Sequence, residues 1–212
     1  MPPPGEPGAP HLAPSTWSRL IDSIDAANVF VLIGSWLGPK VRLEVSVEDV
    51  WQETLWMAWR DRQQHEWVNL TKYRAWLLGI ARNRVYEIVR NAGRIKRGGH
   101  VRTSPMSALG TGDFGNADTA SGYLPPQSTT PSRVASNLER ARILERALTM
   151  VDEPLREVVR LRLFEELSSQ ATAVALQIPL STAKERFVRG TQKYRDALQR
   201  LLGRDDSTGA AP

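Results

Sequence analysis

Residues 46–59 read SVEDVWQETLWMAW, and the spacing of their apolar side chains decides the fold class. Val47, Val50, Trp51, Thr54, Leu55, Ala58 and Trp59 recur at helical intervals, which puts them on one face of an α-helix. Ser46 precedes the stripe and Asp49 stands three residues later, an N-terminal capping arrangement, so a helix is predicted from there to about Gln64. Further on, Tyr73, Trp76, Leu77, Ile80, Ala81, Arg84 and Ile88 keep helical register and predict a helix from about Leu70 to Arg97. Upstream, Ser15-Thr16 suits the cap of a helix from Trp17 to Leu37, stopped by Gly38-Pro39. VRLEVSV (41–47) alternates with period two, but a lone strand has no partner in such a chain, so it is not counted as one.

Proline and glycine punctuate the rest. Residues 1–15 hold six of the fourteen prolines and read as a disordered leader. Residues 98–136 combine four prolines and six glycines with many Ser and Thr, have no apolar period, and read as a flexible linker. Beyond it, helical segments are predicted at 137–150, Glu153–Glu165, Ser168–Leu176 and about Leu180–Leu202, with 203–212 a disordered tail. The expected fold is therefore all-α, with two small helical domains at 16–97 and 137–202. All seven Trp lie in the first domain, so the two cores differ in kind.

Composition narrows the function classes. The chain has 212 residues, 41% hydrophobic, with a formal net charge of +5 and a pI near 9.9. It has no Cys and three scattered His, so disulfides, thiol chemistry and a clustered metal site are not expected. The longest apolar run, Ala26–Trp36, is interrupted by Asn28 and Gly34 and is shorter than the ~20 residues a membrane span needs. No apolar segment follows a basic start, so no signal peptide is read, and a soluble cytoplasmic protein is expected. Neither a Gly-rich phosphate loop, nor H-E-x-x-H, nor G-x-S-x-G occurs. A non-enzymatic protein without cofactor or metal is the expectation.

Charge placement is more informative than its sum. Residues 72–104 carry nine Lys and Arg against the single acid Glu87, a density suited to a phosphate backbone, although a solvated helix face has the same look. Trp67, Tyr73 and Trp76 stand at the same end, and aromatics beside cations suit unstacked bases. Residues 168–190 read as a helix-turn-helix. In it Ser168 caps a short helix with Ala171, Val174 and Ala175 facing inward, QIPL turns, and Lys184, Arg186 and Arg189 lie near the second helix's start. Gln177 occupies the turn position where Gly is usual. The acids Glu44, Glu48, Asp49 and Glu53 gather at the start of the helix from Ser46, where the helix dipole alone would favour them. An exposed Trp51 or Trp56 beside them would mark a protein-docking patch.

DVWQETLWMAWR followed by YRAWLLGIARNRVYEIVR resembles the second conserved region of bacterial sigma factors of the extracytoplasmic-function (ECF) type. REVVRLRLFEELSSQATAVALQIPLSTAKERFVRGTQKYRDAL resembles their fourth region, and the order and spacing agree over about 150 residues. The resemblance implies a transcription initiation factor with core RNA polymerase and promoter DNA as partners, and leaves open an anti-sigma protein. It implies polymerase binding by Asp49, Gln52 and Glu53. Melting and reading of the −10 element would fall to Trp76, Arg82, Asn83, Arg84, Arg90 and Arg94, with the loop at about Glu66–Lys72 cradling a flipped base. Ser181, Thr182, Lys184, Glu185, Arg186 and Arg189 would read the −35 element as duplex. Glu87 and Glu185 depart from the usual small polar residues at their positions, and an acid at 185 can accept from a cytosine amine. The competing reading is a helix-turn-helix regulator whose first domain binds a ligand or partner protein.

Overall fold

The computed structural model describes residues 14–62, 69–95 and 130–208. Among them all regular structure is helical: α1 (Pro14–Asp22), α2 (Ala26–Val41), α3 (Val47–Asp61), α4 (Leu70–Ile95), α5 (Pro131–Thr149), α6 (Glu153–Val159), a π-helical turn (Arg160–Phe164), α7 (Ser169–Ala175) and α8 (Leu180–Thr208). Two compact units emerge, Met1–Ala26 with Ile33–Val134, and Ala27–Leu32 with Ala135–Pro212. Residues 1–13 of the expected leader and 98–129 of the expected linker lie outside the described residues.

In the first unit the predicted Trp17–Leu37 helix is two helices. The backbone N–H of Ser23 still bonds Arg19 O, but that of Ile24 bonds Ile21 O, and the Ser23 hydroxyl donates to Leu20 O at 2.6 Å. These bonds close α1 early, and Asp25 precedes α2 in the position where side chains cap helix starts. α1 also begins at Pro14, inside the expected leader. The predicted stop at Gly38-Pro39 appears as a break: Gly38 has φ 70° and ψ 165°, and Pro39 opens one last turn. The stretch after Val41 is turn rather than strand.

α3 follows its pattern closely. The Ser46 hydroxyl accepts from Asp49 N at 3.0 Å, and all seven predicted stripe residues are buried. The described helix runs to Asp61, with Arg62 at its cap, and residues 63 and 64 of the predicted extent lie outside the described residues. There the Arg62 guanidinium lies over the Trp59 ring, 3.5 Å from its centroid, and donates to Trp59 O at 2.7 Å. Desolvation lowers the pKa of Arg62. Asn69 caps α4 by accepting from Lys72 N at 2.9 Å. α4 packs on α3 through Tyr73, Leu77, Ala81 and Val85, an i, i+4 line in which Val85, not Arg84, is the fully buried member. Trp17 meets Trp59 and Tyr73 edge-on, with centroids at 5.5 and 6.0 Å.

α5, most of which belongs to the second unit, starts at Pro131, six residues inside the expected linker. Arg156 then ties the α5–α6 turn, donating to Thr149 O at 3.1 Å and Val151 O at 2.9 Å. Pro154 sits in the first turn of α6, where a missing N–H costs nothing. The predicted Glu153–Glu165 helix widens into the π turn at Arg160. Burial works against the charge on Arg160, but Glu157 and Glu165 flank it closely enough to hold its pKa above the ordinary value. α6 and α7 both pack on α8. α8 continues to Thr208, into the expected tail.

The short helix α7 presents the opposite face from the one predicted. Thr172 and Ala173 are buried, whereas Ala171, Val174 and Ala175 are exposed. Thr172 tolerates burial because its hydroxyl donates to Ser168 O at 2.9 Å. Gln177 has φ 54° and closes α7 with bonds from Gln177 N to Val174 O and from Ile178 N to Ala173 O, a Schellman ending. A left-handed residue other than Gly is strained by roughly 1–2 kcal/mol. Gln177→Gly should therefore stabilise the protein, by up to about 1 kcal/mol once the greater freedom of the unfolded glycine is deducted. Urea midpoints at constant m-value would show it, and no gain would mean that the side chain holds the turn.

Candidate nucleic-acid and partner interfaces

Because α3 buries Val50, Trp51, Thr54, Leu55 and Ala58, its other side faces outward with Asp49, Gln52, Trp56 and Arg60. Trp51 belongs to the core at 2% exposure, while Trp56 is 54% exposed, so the aromatic beside the acids is Trp56. Its ring has the Arg60 guanidinium 5.3 Å from the centroid. Glu53 lies at the edge of this face. Half-buried, it accepts a charge-assisted hydrogen bond from Arg84 of α4.

That pair joins two residues the sequence assigns to different partners. Arg84 also reaches Glu87 at 3.2 Å. Burial opposes its charge, but the hydrogen bond from Arg84 to Glu53 and then the nearby Glu87 carboxylate offset this, and its pKa sits above the ordinary value. The departure at Glu87 thus has a local cause in this chain, a second carboxylate for Arg84. With its guanidinium engaged by two acids, Arg84 holds α3 and α4 together.

The remaining α4 residues divide by exposure. Arg82, Asn83 and Arg90 are exposed and Trp76 is half-buried, tilted against Tyr73 with centroids 5.9 Å apart. Tyr73 is 0% exposed, so it is core and not a surface for stacked bases. Tyr86, which sequence reasoning passed over, is 58% exposed. The side chain of Arg94 and the loop residues 63–68, including Trp67, lie outside the described residues.

On α8 the inward line is Ala183, Gly190, Tyr194 and Ala197. Burial raises the Tyr194 phenol to about 12. The opposite side exposes Ser181, Lys184, Glu185, Val188 and Arg189, with Thr182 and Arg186 half-buried. Glu185 and Arg189 pair along the helix at 3.3 Å, so the unusual acid offsets one of the basic side chains. One helical turn further, Lys193 pairs with Asp152, and that hydrogen bond lowers the Asp152 pKa. On the far side Arg162 stacks on Phe187 at 4.7 Å and donates to Leu167 O, locking α8 to the segment before α7.

No group of three or more metal-ligating side chains is found among the described residues. No described helix is long and apolar enough to cross a membrane. No protein-family model matches the chain, and no curated protein matches it. Among solved structures it is similar to the sigma factor RpoE in its co-crystal with the anti-sigma factor NepR from Bartonella quintana. The identity is 24% over 87% of this chain and 94% of that one, with a TM-score of 0.38.

Proposed function

We propose that this chain is a sigma-type initiation factor, a cytoplasmic, non-enzymatic protein that docks on core RNA polymerase through α3 and meets promoter DNA through α4 and α8. The observation that carries this reading is the outward side of α3. Asp49, Gln52 and Trp56 stand exposed in successive turns of a helix whose other side is fully used by the core. A polar face with one exposed Trp, Asp49 toward one end and Arg60 toward the other, suits a charged protein surface with an apolar pocket. The sequence resemblance supplies the identity of that surface. The helix-turn-helix of α7 and α8 supports duplex binding, since Ser181, Lys184, Glu185 and Arg189 are exposed on one side of the second helix.

Co-purification of the full chain with core polymerase in the absence of DNA tests the reading. Glu53 is a poor site for an alanine test, because its loss also strips Arg84 of a partner. Asp49→Ala with Gln52→Ala avoids that. The double variant should weaken core binding by about 2–3 kcal/mol if its contacts are desolvated on docking, and Trp56→Ala alone by about 2 kcal/mol, with helicity unchanged. A chain that binds duplex DNA yet never retains core polymerase is instead a helix-turn-helix regulator.

A further inference from the structure

We propose that Arg84, braced by Glu87, is a positioning residue that holds the Glu53 carboxylate ready for docking on polymerase, and is not itself a DNA contact; this rests on the initiation-factor reading above. Glu53 stands half-buried at the edge of the outward α3 face, one helical turn from Asp49 and from Trp56. Arg84 reaches it from α4, its Nε donating to Glu53 Oε2. A carboxylate accepts through both oxygens. Glu53 makes no other hydrogen bond among the described residues, so Oε1 can take a donor from an incoming protein.

Arg84 differs from the other cations of α4. Its side chain is only 17% exposed and both edges of its guanidinium are engaged, Nε by Glu53 and Nη1 by Glu87 at 3.2 Å. Arg82 and Arg90 on the same helix are exposed and suit phosphates. A planar guanidinium held at two points cannot swing, so the carboxylate it grips keeps one orientation. A side chain ordered before docking loses less freedom on docking. Glu87 acquires a purpose in the same arrangement. It is the single acid among the nine Lys and Arg of residues 72–104, and an acid there opposes a polyanion. Beside Arg84 it does something else: two carboxylates around one guanidinium leave a net charge of −1, so Glu53 is fixed in place without its end of the α3 face losing negative charge.

The test is a double-mutant cycle on the full chain, read as affinity for core polymerase, with urea denaturation of every variant alongside. Glu53→Gln and Arg84→Gln should each weaken binding roughly 10-fold, and the double variant no more than either alone, because both remove the same positioned carboxylate. Glu87→Gln should weaken binding roughly 3-fold, an effect that disappears once Arg84 is already Gln. Glu87 is exposed and tolerates the change, so this arm decides the matter even where Arg84→Gln folds poorly. A merely structural tie lowers the urea midpoint of Arg84→Gln and leaves the affinity of the folded chain unchanged; that result overturns the positioning role alone. Additive losses, roughly 100-fold in the double variant, overturn it too, since the two residues then act independently. So does an Arg84→Gln chain that keeps polymerase but loses a single-stranded oligonucleotide, which makes Arg84 a DNA contact. Failure of the unaltered chain to bind core polymerase is a different result, because it overturns the initiation-factor reading and the positioning role together.

Discussion

Trp17→Ala is expected to cost about 3–5 kcal/mol, the range for deleting a large aromatic from a packed core, and to leave the first unit largely unfolded. Trp17 is 0% exposed, although α1 has only nine residues. Its ring meets Trp59 of α3 and Tyr73 of α4 edge-on, contacts that each add about 0.5–1.5 kcal/mol beyond burial. A whole domain is stable by only about 5–15 kcal/mol, so one residue here carries a large share. Arg19→Ala is the control: it lies on the same helix and is exposed, and should shift stability by no more than about 0.5 kcal/mol. Urea denaturation followed by far-ultraviolet circular dichroism separates the two. A Trp17→Ala loss below about 1 kcal/mol would show that α1 is peripheral. The functional consequence follows from α3, since Trp59 sits on the inner side of the helix that displays Asp49, Gln52 and Trp56. Loss of Trp17 should abolish core-polymerase retention without touching any residue of that face.

Why α3 could be read residue by residue, and α7 could not, comes down to side-chain contrast. α3 alternates large apolar groups with charges, and Ser46 marks its start, so period and cap agree. α7 reads SQATAVA, where every side chain but Gln170 is small and the burial preference between faces is weak. The decisive contact there is a Thr172 hydroxyl satisfied by its own helix, which no hydrophobic period reveals. The α1–α2 break was hidden for a different reason, a helical spacing of apolar residues (Trp17, Leu20, Ile21, Ile24) that runs on into the apolar stretch from Ala26.

The candidate sites show the same division. Residue type suggested basic and aromatic groups on α4, but exposure assigns them: Tyr73 is internal and Tyr86 external, on one helix. The strict i, i+4 line of Tyr73, Leu77, Ala81 and Val85 was a usable signal, because it leaves position 84 at the edge of the core and 86 outside it. The pairing of Glu53 with Arg84 was not readable at all, since two residues 31 positions apart meet only after α3 and α4 pack. It matters for function, because Glu53 and Arg84 were assigned to separate partners, and in the folded chain each neutralises the other.

Gly190→Val should be the most damaging change in the second unit, and glycine in a helix is otherwise a weakness, so the sign must be argued. A Cβ at this position would lie 2.6 Å from Val159 Cγ2, 3.2 Å from Leu155 O and 3.3 Å from Leu155 Cβ. Two of those neighbours are backbone or near-backbone atoms of α6 and cannot swing aside, so α6 and α8 would have to move apart. Overpacking by even one methyl costs typically about 1–3 kcal/mol, and the branched valine exceeds that. Relief from glycine's poor helix propensity returns at most about 1 kcal/mol, so destabilisation wins. Gly203 lies on the same helix with nothing within 4 Å of an added Cβ. There only the propensity term acts, and Gly203→Ala should leave stability unchanged or raise it slightly. Val159 and Leu155 pack against the same helix that exposes Lys184, Glu185 and Arg189, so Gly190→Val should also lower duplex-DNA affinity well beyond the loss of any one contact. Urea denaturation and duplex binding measured on both variants decide the point: a Gly190→Val protein as stable as the parent would mean that α8 can shift on α6 without cost, and the recognition face would then have no fixed support.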